Sequence, residues 1–172
     1  MKLYRCIICG DPYLGEDKPS SCPFCGAYQT YIINAEDYTY PVVDNLSEKS
    51  RNNLLAALTL ELINADFYWV NYQNAKSDYN KQMFKALSKI EAEHAAAIKK
   101  TLKLSDSPAI NKSTKIFDTD EQIYKEAHTR EVKAAAFYKK SALEASEPRV
   151  QELFTALSEI ENDHIKLSAE RC

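Results

Sequence analysis

The chain has 172 residues, 45% of them hydrophobic, and a formal net charge of -3 with a pI near 5.7. That suffices for one domain of ordinary size plus a small appendage, and the scattered basic residues offer no stripe for a phosphate backbone, which excludes a nucleic-acid partner. No signal-peptide apolar segment opens the chain and no run of 18 apolar residues occurs, so a soluble cytoplasmic protein with no membrane segment is expected.

The first 36 residues hold four of the five cysteines and all three glycines. "CIICG" (Cys6, Cys9, Gly10) and "CPFCG" (Cys22, Cys25, Gly26) form Cys-x2-Cys-x12-Cys-x2-Cys, with a glycine after each pair. In a reducing compartment such a cluster suggests metal rather than disulfides, and two such loops supply four thiolates in a tetrahedron. Zinc and iron both fit four thiolates; spacing does not separate a structural zinc ribbon from a single redox iron. Cys172 stands apart as a free thiol with no assigned role.

Residues 37–45 read as a linker, with Pro41 barring helix on its N-terminal side. Asn45 with Glu48 three residues on has the form of a helix N-cap with a reciprocal partner. From residue 46 to 172 the pattern has period 3.6 and predicts four helices at about 46–77, 79–103, 119–146 and 147–170. Two joints are short. The long one, 104–118, returns the chain along the bundle, as ferritin-like bundles with one crossover require. The expected fold is therefore mainly α, a ferritin-like four-helix bundle behind a small metal-knuckle domain.

The second half of the helical region repeats the first at an offset of 70 residues: "MFKALSKIEAEH" (83–94) overlays "LFTALSEIENDH" (153–164), and "ELINADFY" (61–68) overlays "EVKAAAFY" (131–138). The duplication implies two helix pairs about an approximate two-fold axis. Glu61 lies within the apolar stripe Leu54, Leu58, Ala65, Tyr68, and Glu131 lies within Tyr124, Ala127, Ala135, Tyr138. Glu91 with His94, and Glu161 with His164, form Glu-x-x-His pairs whose i, i+3 spacing lets both side chains reach one metal centre. Four carboxylates turned into a core cost several kcal/mol each unless something cancels their charge. Two divalent ions do so, and the two histidines add neutral nitrogen ligands. Iron, manganese or a mixture meets that requirement. Tyr68 and Tyr138 lie two turns beyond Glu61 and Glu131, within reach of hydrogen bonds to ligands, though aromatic residues at this spacing also serve as core. His128 reads as a hydrogen-bonded helix residue or an accessory ligand.

With these motifs in place, the chain resembles the rubrerythrin family of the reverse type, in which a rubredoxin-like domain precedes the ferritin-like diiron domain. "YRCIICG" and "CPFCG" resemble the rubredoxin half, and Glu61, Glu91, His94, Glu131, Glu161 and His164 match the bundle's iron ligands. The resemblance implies a non-haem diiron peroxidase that reduces hydrogen peroxide to water. Electrons would come from an NAD(P)H-dependent rubredoxin reductase through a rubredoxin-type iron on Cys6, Cys9, Cys22 and Cys25. Typical members carry a further glutamate one turn after the third-helix ligand, where this chain has Ala134, so oxygen reduction or ferroxidase activity is the alternative. A zinc ribbon recruiting partners to an inert bundle is a second one. Glu61 lies about 16 residues into its predicted helix, roughly 24 Å from the linker. That length argues for a head-to-tail homodimer in which each cysteine site serves the partner's bundle.

Overall fold

The computed structural model describes residues 1–172. Four helices carry the chain from residue 48 onward: α1 Glu48–Asn74, α2 Asp78–Leu102, α3 Asp120–Glu144 and α4 Pro148–Ala169. Their starts follow from local chemistry. Ser77 accepts from Asn80 N, Thr119 and Gln122 form a reciprocal capping box, and Pro148 occupies the first turn of α4, where no amide is needed. The cap of α1 is Ser47, whose side chain accepts from Ser50 N, and not Asn45. The reason is tertiary: the Glu147 carboxylate, at the foot of α4, accepts from Ser47 N at 2.5 Å and from the Ser50 hydroxyl. Those bonds hold Glu147 down at about 2, against the penalty of burial.

Three-residue joints make α1 with α2, and α3 with α4, tightly packed antiparallel pairs, and residues 103–119 carry the chain between them. This is the ferritin-like bundle with one long crossover. No helix is long and apolar enough to cross a membrane.

Ahead of the bundle, β1 Lys2–Cys6, β2 Pro12–Gly15 and β3 Ile32–Asn34 form an antiparallel sheet in the order β2-β1-β3. The sheet fixes the two cysteine loops: Cys6 ends β1 opposite Ile32, and Cys9 lies in the turn to β2. Gly10 and Gly26 have φ of 87° and 80°, the left-handed region in which glycine carries no Cβ penalty. Gly26 is doubly constrained, since a Cβ there would meet Ile160 Cγ2 on α4 at 3.2 Å.

The buried residues of the cysteine unit, among them Tyr4, Ile8, Ala27 and Ile32, are continuous with Leu54, Ile98, Phe154 and Ile160 of the bundle. A second cluster, containing Phe67, Tyr68, Phe84, Phe117 and Tyr124, closes the opposite end. The inward glutamates lie between these apolar masses, shielded from water.

Candidate metal centres

Within the four-cysteine cluster, Cys6 Sγ lies 3.7 Å from Cys25 Sγ, and Cys9 Sγ lies 3.8 Å from Cys22 Sγ. A tetrahedron with metal–sulfur bonds of about 2.3 Å has edges of about 3.8 Å, so the spacing suits one ion and is far too long for a disulfide. Hydrogen bonds among the sulfurs push Cys9 up, chiefly through Cys22, and hold Cys22 down, chiefly through Cys25. The four sulfurs thus share protons, and becoming four thiolates requires a cation at their centre.

In the bundle, two donor sets overlap. Glu61, Glu91, His94 and Glu161 form one, and Glu91, Glu131, Glu161 and His164 form the other, with the donor atoms of each set within 4.8 Å of one another. Glu91 and Glu161 belong to both. An ion in each set would draw on one histidine, one carboxylate of its own and two carboxylates common to both sets. The histidines aim Nδ1 inward. His94 Nδ1 lies 3.3 Å from Glu91, 3.4 Å from Glu61 and 3.5 Å from Glu161, and His164 Nδ1 lies 3.0 Å from Glu161 and 3.3 Å from Glu91. Several oxygens ranged at similar distances about one nitrogen suit an ion placed among them.

A direct test of fit comes from the unpartnered atoms. All four carboxylates are fully buried, and each keeps one oxygen without a hydrogen-bond partner: Glu61 Oε2, Glu91 Oε1, Glu131 Oε2 and Glu161 Oε1. Stranding four such oxygens in a core is prohibitive unless they ligate something. The proton affinities agree. Burial and the neighbouring Glu91 charge push Glu61 up to about 8, and burial with the charges of Glu91, Glu131 and Glu61 pushes Glu161 well above the usual carboxylate range. Against the penalty of burial, the facing His164 and His94 rings hold Glu91 low, and Glu91 in return raises His164 to about 9. Without a metal the cluster gathers protons in its place.

Tyr68 and Tyr138 touch ligands, but crosswise. Tyr138 on α3 donates to Glu61 Oε1 on α1 at 2.6 Å, and Tyr68 on α1 donates to Glu131 Oε1 on α3. Each tyrosine lies seven residues after its own helix's glutamate, so the crossed pairs require α1 and α3 to run antiparallel about the two-fold axis that the repeat implies. Burial and the adjacent carboxylates keep both phenols well above their ordinary value, so they remain donors. Tyr138→Phe removes the only donor to Glu61 Oε1 besides the His94 contact. It is expected to lower the stability of the metal-free chain by about 2 kcal/mol, read from urea unfolding.

His128 is not part of either donor set; its Nδ1 pairs with the Ser168 hydroxyl at 3.1 Å. Cys172 is exposed, and its thiol reaches Ser168 O. Ala134 is fully buried on α3. Its counterpart in the repeat, Asn64, is also buried and leaves Nδ2 unpartnered, a polar departure one turn from Glu61 that the "ELIN" stretch already displays.

The two centres meet within one chain. His94 Nε2 lies 2.8 Å from Cys25 O, and because a carbonyl only accepts, that nitrogen carries the proton while Nδ1 faces the carboxylates. Tyr31 donates to Glu159 on α4 at 3.0 Å beside this contact. The span that argues for a head-to-tail dimer is measured from the linker, but the folded cysteine unit itself covers it, so the distance requires no partner chain. Nothing in the residue pattern announces His94 to Cys25, because the pairing depends on how the linker turns the unit back along α2 and α4.

A four-helix bundle whose interior presents two overlapping carboxylate and histidine sets, preceded by a four-cysteine unit, defines a ferritin-like protein with a candidate dinuclear metal site. Comparison of the sequence narrows the class: the Rubrerythrin family model matches residues 52–170, and the chain belongs to the rubrerythrin family. It is of the reverse type, with its rubredoxin-like unit first. Reverse rubrerythrin-1 of Clostridium acetobutylicum is 28% identical over 107 residues, covering 56% of this chain and 59% of that relative's length, less than two thirds of it. The two clusters fit an iron-binding rubrerythrin.

Proposed function

We propose that the chain is a non-haem diiron peroxidase, with Glu61, Glu91, His94, Glu131, Glu161 and His164 holding two irons and Cys6, Cys9, Cys22 and Cys25 holding a third. The observation that carries this reading is the hydrogen bond from His94 Nε2 to Cys25 O, which joins a cysteine of one centre to a ligand of the other. Bound in the bundle, iron supplies the two electrons that, with two protons, convert hydrogen peroxide into two waters. The chain's own groups do the rest. Glu91 and Glu161, common to both donor sets, would hold the two ions side by side, and the Glu61 and Glu131 carboxylates are steadied by Tyr138 and Tyr68, which keep a proton at each Oε1. Phe67, Phe84 and Phe154 exclude water around them. Cys25 and His94 give electrons a short covalent and hydrogen-bonded path between the centres. An NAD(P)H-linked rubredoxin reductase is the donor this arrangement suits.

Ala134 favours a second reading. A buried methyl occupies the place of the family's further glutamate, so four carboxylates and two histidines make up the set. A site of that composition also suits reduction of dioxygen or oxidation of ferrous iron. Mixing the fully reduced, iron-loaded chain with peroxide and with oxygen in separate stopped-flow runs decides between them. Peroxide is expected to oxidise the bundle irons at least about tenfold faster, a difference of about 1.4 kcal/mol in barrier. Equal rates, or faster oxidation by oxygen, assign the chain to the oxidase or ferroxidase reading.

A further inference from the structure

Three consecutive carbonyls of the first cysteine loop each accept from a cation. Ile8 O takes Arg149 Nη2 at 2.9 Å, Cys9 O takes Lys100 Nζ at 3.0 Å, and Gly10 O takes Arg5 Nη2 and Nε at 2.7 and 3.0 Å. Arg5 belongs to the cysteine unit, whereas Lys100 comes from α2 and Arg149 from α4. At the second loop the side-chain donor is His94 alone. Arg149 is only 13% exposed, which limits screening of its charge, and Glu152 orients it through its other nitrogen at 2.6 Å while offsetting part of that charge. The loop passes polarisation toward the sulfurs: the Gly10–Asp11 peptide whose oxygen Arg5 grips donates its N–H to Cys9 Sγ at 3.4 Å.

Four thiolates around one iron carry a net charge of -1 when the iron is ferric and -2 when it is ferrous. Positive charge fixed beside the cluster therefore favours the ferrous form. We propose that Lys100 and Arg149 are positioning residues that raise the reduction potential of the four-cysteine iron when its unit is docked on the bundle. The site then takes up an electron most readily in the geometry that places Cys25 O on His94. By linkage, reduction tightens docking by the same factor that docking favours reduction. This rests on the reading of the cysteine site as iron made under Proposed function.

The test is the midpoint potential of that iron in the intact, iron-loaded chain, followed by its thiolate-to-iron absorption during electrochemical titration. Arg149→Gln and Lys100→Gln are each expected to lower the potential, equivalent to about a threefold fall in the reduced-to-oxidised ratio at a fixed applied potential. Arg149→Lys restores most of the shift. Tyr31→Phe removes the hydrogen bond to Glu159 but neither the charges nor the Arg149 and Lys100 contacts that hold the unit on the bundle, and leaves the potential where it is. Normal absorption with an unmoved or raised potential in both glutamine variants overturns the inference alone. A cysteine site that takes up no iron overturns it together with the proposed function.

Discussion

Glu161→Ala is expected to strip both positions of the bundle of metal, whereas Glu61→Ala or Glu131→Ala removes one. The difference follows from which oxygens serve which position: Glu161, like Glu91, belongs to both donor sets, and Glu61 and Glu131 to one each. Two divalent ions carry +4 against the -4 of the four carboxylates, and losing a shared ligand breaks two coordination spheres while leaving the pocket underbalanced. Elemental analysis should show bundle metal falling from two per chain to below one in Glu161→Ala, with the four-cysteine metal retained as an internal standard. Peroxide turnover should fall at least about 100-fold, roughly 2.7 kcal/mol. In the metal-free chain the sign reverses. Glu161 is a carboxyl that burial and three neighbouring acids oppose, so Glu161→Gln should raise metal-free stability by about 1–3 kcal/mol. Equal metal loss in Glu61→Ala and Glu161→Ala would show that no carboxylate is shared.

Much of this site is legible in the chain because buried charge is hard to place by accident. Glu61 interrupts an apolar stripe, its copy at Glu131 does the same, and the 70-residue offset ties both to Glu-x-x-His pairs. The helices fall within a few residues of the periodic segments, since the apolar period and the caps at Ser77 and Thr119 depend on neighbours a turn away. What the pattern does not carry is pairing between distant segments. Ser47 displaces Asn45 as a cap because Glu147, one hundred residues on, bonds Ser47 N. Tyr138 bonds Glu61 rather than Glu131 because α1 and α3 run in opposite directions, which helical periodicity within one segment does not encode. Lys100 and Arg149 look like ordinary surface cations until the linker folds the cysteine unit against them.

The metal-free chain is expected to lose stability steadily as pH rises from about 5 to 9. The sign follows from two groups. Glu61 has a folded value near 8 against an ordinary 4.5, and His164 a folded value near 9 against 6.5. For both the folded value is raised, so the folded form holds more protons than the unfolded form between those limits. Each contribution is fully present below its unfolded value and is lost as pH climbs through its folded value. Glu91 works the other way, because its folded value is lowered: its contribution is present above pH 4.5 and disappears only as the solution becomes strongly acid. Metal-free stability should therefore be highest near pH 5. Either shift alone corresponds to about 3–5 kcal/mol, so a loss of at least about 3 kcal/mol by pH 9 is expected, near 10 °C in Tm for a chain of this size. Metal replaces those protons, so its affinity rises with pH and the loaded chain should melt at nearly constant temperature over the same range. Melting curves of both forms from pH 5 to 9 measure the effect, and Glu61→Gln should flatten the metal-free trend between pH 5 and 8. A metal-free Tm that rises or stays level from pH 6 to 9 would mean that the carboxylates are ionised without a counter-charge, and the case for a cation-dependent core would fall with it.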